Sequence, residues 1–232
     1  MIYAANFKMN HTRNSTADYM EKLAKRMSEK SEGDRVMVFP SATALDSYTG
    51  DFTIGAQNAY PAVSGAYTGE TGVLQLEEFG IKTLLIGHSE RREILRESQE
   101  MIAEKFQFFL AQGFEIVYCI GEPLEVREQG EEAVTAYLLA QFEGIDTRYK
   151  KLTVAYEPIW AIGTGRSATV EEISRTHKML KSHVKCPLLY GGSVKPENIQ
   201  EIAAVDGVDG VLAGGASLEV ESFMALVTAG KV

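Results

Sequence analysis

The sequence contains no apolar run near the roughly 20 residues that a membrane-spanning helix needs. Its opening residues, MIYAANFKMN, lack the basic segment and the long apolar stretch of a secretory signal. Cysteine is scarce, and neither Cys119 nor Cys186 lies in a CxxC motif or in a Cys/His cluster spaced for zinc. We therefore expect a cytoplasmic protein with no membrane association, no disulfide and no bound metal.

Basic residues are also in short supply. Lys and Arg total 23 against 32 Asp and Glu, which gives a net charge of −9. Nucleic-acid-binding proteins usually have the opposite balance or a dense basic stripe, so nucleic acid is excluded as the expected partner. An anionic substrate would need a local pocket of positive potential, which makes each lysine in a motif informative.

Short apolar runs alternate with helix-like segments along the chain, an order typical of a parallel α/β sheet. The runs are rich in Val, Ile and Leu and do not strictly alternate with polar residues. We therefore predict strands that are covered on both faces. The eight runs are MIYAANF, RVMVFP, FTIGAQ, TLLIG, FEIVYCIG, LTVAYE, PLLYGG and GVLAGG.

Two of the intervening segments carry clear helix signals. Residues 99–112 have apolar residues at helical spacing, and residues 169–184 begin with Thr169 as N-cap and Glu172 three positions later. No linker or charge block divides the chain, so we expect one domain over residues 1–232. Eight strand–helix units of this total length predict a (β/α)8 barrel, which typically has about 250 residues, and an open doubly wound sheet is the alternative.

Three chemically useful side chains follow predicted strands. Lys8, His88 and Glu157 come after the first, fourth and sixth strands, where the catalytic residues of such barrels lie. Each also has a structural alternative: a solvated lysine, a structural histidine and a solvated carboxylate. The start of a helix after His88 disfavours the imidazolium form and predicts a neutral ring.

Glu157 is followed by Pro158, Ile159 and Trp160 in the stretch AYEPIWAIGTG. The proline restricts the backbone, and the two apolar side chains are expected to remove water from the carboxylate. Loss of water would raise the pKa of Glu157 and favour a role as general base.

Glycine pairs end the seventh and eighth strands, in YGGSV and AGGASL. Barrels often bind phosphate there with bare backbone N–H groups, and Ser193 adds a hydroxyl. The spacing Gly163-x-Gly165-x-x-Ala168 resembles a dinucleotide fingerprint, but it does not follow its strand directly. The next strand also has no acidic residue for a ribose, so no nicotinamide cofactor is expected.

Other polar or reactive side chains are given structural roles. We predict buried packing for Cys119, ion pairs for Glu90, Arg91 and Arg92, and no chemistry for His11, His177 and His183.

The motifs NFKMN, AQNAY with SGAYTGE, IGHSERR, CIGE, AYEPIWAIGTG, YGGSV and GGASL occur in this order over nearly the whole chain. With these motifs in this order, the sequence closely resembles the triosephosphate isomerase family. The resemblance implies interconversion of dihydroxyacetone phosphate and glyceraldehyde 3-phosphate, in glycolysis and gluconeogenesis, without metal or organic cofactor. The chain is somewhat short for the family, and Phe7 stands where tryptophan is common.

The resemblance also implies roles for individual residues. Glu157 would be the base, His88 would polarise the carbonyl and move protons between oxygens, and Lys8 would stabilise negative charge. Asn6 would help to orient the substrate. The phosphate would be held by backbone N–H groups of Gly163, Ser193, Gly214 and Gly215.

Two loops are given functions by the same resemblance. A lid that closes over the phosphate would consist of Pro158, Ile159, Trp160, Ala161, Ile162, Gly163, Thr164, Gly165 and, at the far hinge, Ala168. The loop 57–70 would insert into a second subunit and bring Thr68 near the partner's Asn6 and the partner's Lys8, which implies a homodimer.

Two other functions remain open from the residues. Another phosphate-binding barrel would keep the glycine pairs but need metal ligands or a Schiff-base lysine inside the barrel, and the strand ends have neither pattern. A catalytically inactive barrel that serves as a scaffold would be expected to lack Glu157, His88 or Lys8, and all three are present.

Overall fold

A computed structural model describes residues 1–162 and 167–229 of the chain. All eight predicted strands are present in it, each within its apolar run and all parallel. They are β1 (Ile2–Asn6), β2 (Arg35–Phe39), β3 (Thr53–Ile54), β4 (Thr83–Ile86), β5 (Glu115–Ile120), β6 (Leu152–Tyr156), β7 (Leu188–Tyr190) and β8 (Gly210–Ala213).

The strands form one sheet in the order β3-β2-β1-β8-β7-β6-β5-β4. Its two edges meet at a parallel bridge between Ala56 and Leu84. Here the N–H of Ala56 donates to the carbonyl of Thr83, and the N–H of Leu85 donates to the carbonyl of Ala56, both at 2.9 Å. The sheet is thus a nearly closed barrel, which confirms the barrel prediction and excludes the open doubly wound sheet.

Helices surround this barrel. In the described ranges they are α1 (Arg13–Arg26), α2 (Val73–Glu78), α3 (Ser89–Glu93), α4 (Gln99–Ala111), α5 (Leu124–Arg127), α6 (Glu131–Ala140), α7 (Val170–His183), α8 (Ile199–Ala203) and α9 (Val220–Ala229), with 3-10 turns at Met27–Glu29, Ala42–Ala44, Ile159–Ala161 and Gly215–Ser217. None of these helices is long and apolar enough to cross a membrane.

The helix signals in the sequence are confirmed at α4 and α7. The Ser98 hydroxyl caps α4 by accepting from the N–H of Met101. At α7 the Thr169 hydroxyl accepts from the N–H of Glu172, and the Glu172 carboxylate accepts from the N–H of Thr169 in return. Such reciprocal capping satisfies two N–H groups that the first turn of a helix leaves without partners.

The strands bury both of their faces, as their apolar composition predicts. One small cluster fills the barrel interior and includes Ala4, Cys119 and Ala155. A larger cluster lies between the strands and the helices and includes their neighbours, such as Ala5 and Tyr156. Successive strand residues point to opposite faces, so this alternation decides which side chains enter the barrel. Cys119 is completely buried, as predicted.

Candidate active site

A cavity of about 510 Å³ opens at the carboxyl ends of the strands. Among its lining residues are most of those predicted from the sequence: Asn6, Lys8, His88, Glu157, Ser193, Gly214 and Gly215. Residues at or just after the ends of β1, β4, β6, β7 and β8 therefore meet at one rim, although they are far apart in the chain. No group of three or more His, Cys, Asp or Glu side chains that could hold a metal ion occurs in residues 1–162 and 167–229.

The pleat of the strands explains why Asn6 and Glu157 enter this cavity. Ala4 and Ala155 belong to the interior cluster; Asn6 lies two residues after Ala4 at the end of β1, and Glu157 lies two residues after Ala155, directly after β6. A period of two residues keeps both side chains on the inner side of the barrel wall. Both are buried, with 4% and 2% of their surface exposed.

Lys8 has an unusual backbone conformation, with φ of 51°. Its N–H donates to the Asn6 side-chain oxygen at 3.0 Å, and its carbonyl accepts from the Gln57 side-chain amide at 2.9 Å. A left-handed conformation costs about 1–3 kcal/mol outside glycine and persists where the surroundings enforce it. The ammonium group lies 2.8 Å from the carboxylate of Glu90 at the cavity edge.

His88 and Glu157 are in direct contact. His88 Nε2 lies 3.0 Å from Glu157 Oε1, and the N–H of Ser89 donates to Glu157 Oε2 at 3.0 Å. Gly191 packs against the same carboxylate side chain, because a Cβ there would lie 3.0 Å from Glu157 Cγ. The carboxylate is therefore fixed between the start of α3 and the end of β7.

The pKa of Glu157 differs from the sequence-based prediction of a raised value. Burial raises the pKa of Glu157, but the His88 imidazole, the Ser89 N–H and the Lys8 ammonium together lower it below the usual value. The predicted rise is therefore wrong for this resting state. The sequence indicated burial correctly, but the partners of the carboxylate lie on other strands.

The His88 ring is governed by two opposing influences. Burial lowers the pKa of His88, whereas the carboxylates of Glu157 and Glu90 raise it to above the usual value. The hydrogen bonds assign the position of the ring hydrogen: the N–H of Glu90 donates to Nδ1 at 3.2 Å. Nδ1 is then an acceptor, and a neutral ring carries its hydrogen on Nε2 and donates to Glu157.

Two glycines after β8, Gly214 and Gly215, also line the cavity. Gly214 passes the Lys8 side chain so closely that a Cβ would lie 3.3 Å from Lys8 Cε. Gly215 begins a 3-10 turn that the Ser217 hydroxyl braces, because its oxygen lies 2.7 Å from the carbonyl of Gly214 and 3.0 Å from that of Ala213, which share its one hydrogen. Gly214 thus presents backbone next to the Lys8 ammonium, and Ser193 and Gly215 line the same cavity, which is an arrangement that suits an anion.

The segment after Glu157 is held by Glu122, which follows β5. Tyr156 and Trp160 donate to Glu122 Oε1 at 3.0 and 2.9 Å, and the N–H of Ile159 donates to the Glu122 carbonyl at 3.1 Å. The indole N–H of Trp160 therefore points to Glu122. Pro158 precedes the 3-10 turn, Ile159–Ala161, and Ile162 lines the cavity.

The rest of the predicted lid is only partly described. Gly163, Thr164 and Gly165 lie outside the described residues, and so does the predicted phosphate contact of Gly163. Ala168 lies against Tyr190: burial raises the pKa of Tyr190, and a hydrogen bond with the Ala168 backbone partly opposes this rise.

The ion pairs predicted after His88 are only partly correct. Glu90 pairs with Lys8, and Arg91 lies 2.6 Å from Glu97. Arg92 has no carboxylate partner in the described part of the chain. Its guanidinium instead donates to the carbonyls of Gly87 and Cys119 and to the side chains of Gln99 and Tyr118.

Two residues at the site were not singled out from the sequence. Glu122 follows β5 as Glu157 follows β6, so its position at a strand end was a usable signal. Gln57 gave no such signal, because its role depends on the conformation of Lys8. Its amide bonds the carbonyls of both Lys8 and Phe39.

Comparison with known proteins agrees with this geometry. The sequence model of a family described as triosephosphate isomerase matches residues 1–230. The triosephosphate isomerase of Sulfurovum sp. (strain NBC37-1) is 66% identical over 229 residues, covering 99% of this chain and 100% of the relative. Those of Wolinella succinogenes and Sulfurimonas denitrificans are 57% and 52% identical, covering 98% and 96% of this chain and 99% and 93% of the relatives. The chain therefore belongs to the triosephosphate isomerase family.

Proposed function

We propose that the protein interconverts dihydroxyacetone phosphate and D-glyceraldehyde 3-phosphate through an enediolate intermediate. The observation that carries the proposal is the contact of 3.0 Å between His88 and Glu157, in a cavity that Lys8 and the glycine turns also line. A carboxylate, a ring N–H donor and a cation are the groups needed to move a proton between two carbons next to a carbonyl.

In the forward direction Glu157 removes a proton from the carbon beside the carbonyl of dihydroxyacetone phosphate. The electron pair of that C–H bond forms the carbon–carbon double bond, and the negative charge moves to the carbonyl oxygen. His88 donates from Nε2 to this oxygen and accepts the hydroxyl proton of the neighbouring one. Glu157 then returns its proton to the second carbon, and the aldehyde is released.

The resting contact also supplies a way to activate the base. The electrostatic attraction to His88 and the hydrogen bond with it lower the pKa of Glu157, and a substrate carbonyl that accepts the N–H of His88 removes that hydrogen bond. Burial of the carboxylate remains, and burial favours its protonated form. Substrate binding therefore makes Glu157 a stronger base at the moment when a proton is within reach.

Charge stabilisation is assigned to Lys8, and orientation of the substrate to Asn6. The phosphate is assigned to the backbone N–H groups of Ser193, Gly214 and Gly215 with the nearby ammonium, and Gly163 is expected to add another from the lid. Because the chain has a net charge of −9, this rim is the place where an anion finds local compensation. The reaction requires no metal or organic cofactor.

A coupled assay tests the proposal. Purified protein is given glyceraldehyde 3-phosphate, and dihydroxyacetone phosphate is measured through NADH consumption by glycerol 3-phosphate dehydrogenase. Rapid turnover that inorganic phosphate inhibits competitively is expected. Absence of turnover would favour the inactive scaffold, and turnover of a different sugar phosphate alone would favour another phosphate-binding barrel.

We further propose a homodimer in which the loop 57–70 inserts into a second subunit. Thr68 is exposed, and the rings of Tyr60 and Tyr67 stack at 4.1 Å between centroids within this loop. Met9 is 96% exposed beside the cavity rim, and Leu95 is 60% exposed after α3. A partner that covers such apolar side chains would recover the free energy of their burial.

A cytoplasmic location is proposed from the reaction and from the two free cysteines.

A further inference from the structure

We propose that Arg127 is a positioning residue for the isomerisation, which fixes the segment that carries Glu157 by acting through Glu122 and Trp160. Arg127 lies at the end of α5, outside the cavity, and touches none of the groups that are expected to meet substrate. The inference rests on the proposed function, because it assigns a task within that reaction.

Glu122 holds the chain on both sides of Glu157. The residue before the base, Tyr156, and the residue three positions after it, Trp160, donate to the same oxygen of Glu122. The Glu122 carbonyl also accepts the N–H of Ile159. The position of the base therefore depends on where the Glu122 carboxylate lies and on whether it is charged.

A cation accompanies this buried carboxylate. Glu122 is completely buried, and its second oxygen, Oε2, has no hydrogen-bond partner among the described residues. Arg127 Nη1 lies 3.7 Å from Glu122 Oε1, and the guanidinium carbon lies 5.4 Å from the centre of the Trp160 ring. Burial raises the pKa of Glu122, and the hydrogen bonds from Trp160 and Tyr156, followed by the charge of Arg127, oppose this rise.

The same guanidinium reaches the chain beyond the lid. Arg127 Nη2 lies 3.5 Å from Glu172, and Nη1 donates to the Thr176 hydroxyl at 3.4 Å. Glu172 is the residue that caps α7 together with Thr169. Arg127 is thus in contact with residues on both sides of the segment 163–166. Each of these contacts is long, but together they fix the planar guanidinium more firmly than any one of them would.

Loss of the guanidinium should affect turnover more than binding. Without it Glu122 takes up a proton or admits water, and its bonds to Tyr156 and Trp160 change from charge-assisted to weaker neutral ones. The base then moves relative to the substrate carbon. Three of the four residues assigned to the phosphate, Ser193, Gly214 and Gly215, follow β7 and β8, whereas the hydrogen bonds and ion pairs of Arg127 go to Glu122, Glu172 and Thr176. Most of the phosphate contacts should therefore remain, and the Michaelis constant should change little.

The test compares Arg127→Met, which keeps the length of the side chain, with Arg127→Lys, which keeps the charge. Arg175→Met is the matched control, because Arg175 lines the same small surface pocket but pairs with the exposed Glu131. We expect Arg127→Met to lower kcat about tenfold or more, with KM changed by less than about threefold. Arg127→Lys should recover much of this loss, and Arg175→Met should equal the wild type.

Trp160 is the only tryptophan in the chain, so its fluorescence reports on the same contact without substrate. Emission of the Arg127→Met protein should move to longer wavelength as water approaches the indole. In a Glu122→Gln background the Arg127→Met change should have little further effect on kcat, because the charge that Arg127 neutralises is already gone. This double variant leaves no buried carboxylate without its cation, because Glu172, the other partner of Arg127, is partly exposed, and it serves the same test if Arg127→Met alone does not fold.

Wild-type kcat and wild-type emission in Arg127→Met would overturn the inference. An equal loss of kcat in Arg127→Met and Arg127→Lys would also overturn it. So would a double variant in which the kcat losses of Arg127→Met and Glu122→Gln simply add. A wild-type protein without isomerase activity would instead overturn the proposed function, and the Trp160 emission would then still decide whether Arg127 positions this segment.

Discussion

His88 Nε2 and Glu157 Oε1 lie 3.0 Å apart, although β4 and β6 bring them from distant parts of the chain. The N–H of Ser89 occupies the other oxygen of the carboxylate, and the N–H of Glu90 occupies the other nitrogen of the ring. The start of α3 therefore holds Oε2 of Glu157 and Nδ1 of His88, and the remaining atoms, Oε1 and Nε2, face each other.

Replacing Glu157 with glutamine tests the base. The amide keeps an oxygen that accepts from the Ser89 N–H or from His88, so the fold should be retained. It cannot take a proton from carbon, and kcat should fall by about a thousandfold or more. The coupled assay measures the loss, and circular dichroism checks the fold.

Glu171→Gln provides the control, because this exposed carboxylate at the start of α7 makes the same change of charge. Its kcat should equal that of the wild type. A Glu157→Gln enzyme that isomerises nearly as fast as the wild type would refute the assignment of the base.

Much of the barrel was predictable because its strands and helices are encoded locally. Apolar runs located every strand, and the Thr169 and Glu172 pair located the start of α7. The run FTIGAQ gave only the two residues of β3, followed by the single bridge at Ala56. The length of this strand depends on how the last edges of the sheet meet, which is a long-range property that a local pattern does not contain.

The sequence predicted most of the residues that line the candidate site, but it did not predict the pKa of Glu157 correctly. A strand end and a period of two residues are enough to direct Glu157 and Asn6 into the barrel. The pKa of Glu157 depends instead on His88 and Ser89, which reach it only through the fold. The predicted ion pair of Arg92 was wrong for a similar reason. The sequence gives the charge of Arg92, but only the fold brings the carbonyls of Gly87 and Cys119 to its guanidinium.

A buried ion cluster behind α3 should contribute to stability. Glu97 lies 2.5 Å from the Lys105 ammonium and 2.6 Å from the Arg91 guanidinium, and the Glu97 and Lys105 side chains are each only 6% exposed. Glu97→Gln would leave two cations with no carboxylate between them. We expect the free energy of unfolding to fall by about 3 kcal/mol, measured by urea denaturation.

The control for Glu97→Gln is Glu21→Gln, which removes the carboxylate of a largely exposed pair with Lys25 on α1. Water screens that pair, so its loss should leave the urea midpoint unchanged within error. Equal midpoints for Glu97→Gln and the wild type would show that the cluster does not stabilise the fold.

The homodimer proposal is tested at Thr68. A long cation in the tip of the loop 57–70 would have to enter the proposed interface, so Thr68→Arg should weaken the dimer and lower kcat. Light scattering should then detect mass close to the 25.5 kDa of one chain at low concentration. Ser28→Arg adds the same side chain at an exposed turn after α1 and should change neither quantity. An unchanged mass together with full activity in Thr68→Arg would overturn the proposed interface.

His177 gives a prediction about acid stability. It is completely buried on α7 beside the rings of Tyr156 and Tyr190. Its Nδ1 lies 3.1 Å from the carbonyl of Gly207 and therefore carries the hydrogen, while Nε2 has no partner in the described part of the chain. Burial lowers the pKa of His177 from 6.5 to about 4, so the folded protein keeps the ring neutral.

As the pH falls below 6.5, the unfolded chain binds a proton at this position, and the folded chain does so only near pH 4. The free energy of unfolding therefore decreases through this window, by about 2 kcal/mol between pH 7.5 and pH 5. His177→Asn keeps a donor for the Gly207 carbonyl and cannot titrate, so urea denaturation should show a smaller decrease over the same interval. His183→Asn, at an exposed position on the same helix, should retain the wild-type decrease, and an equal decrease in all three proteins would mean that His177 does not set the acid response.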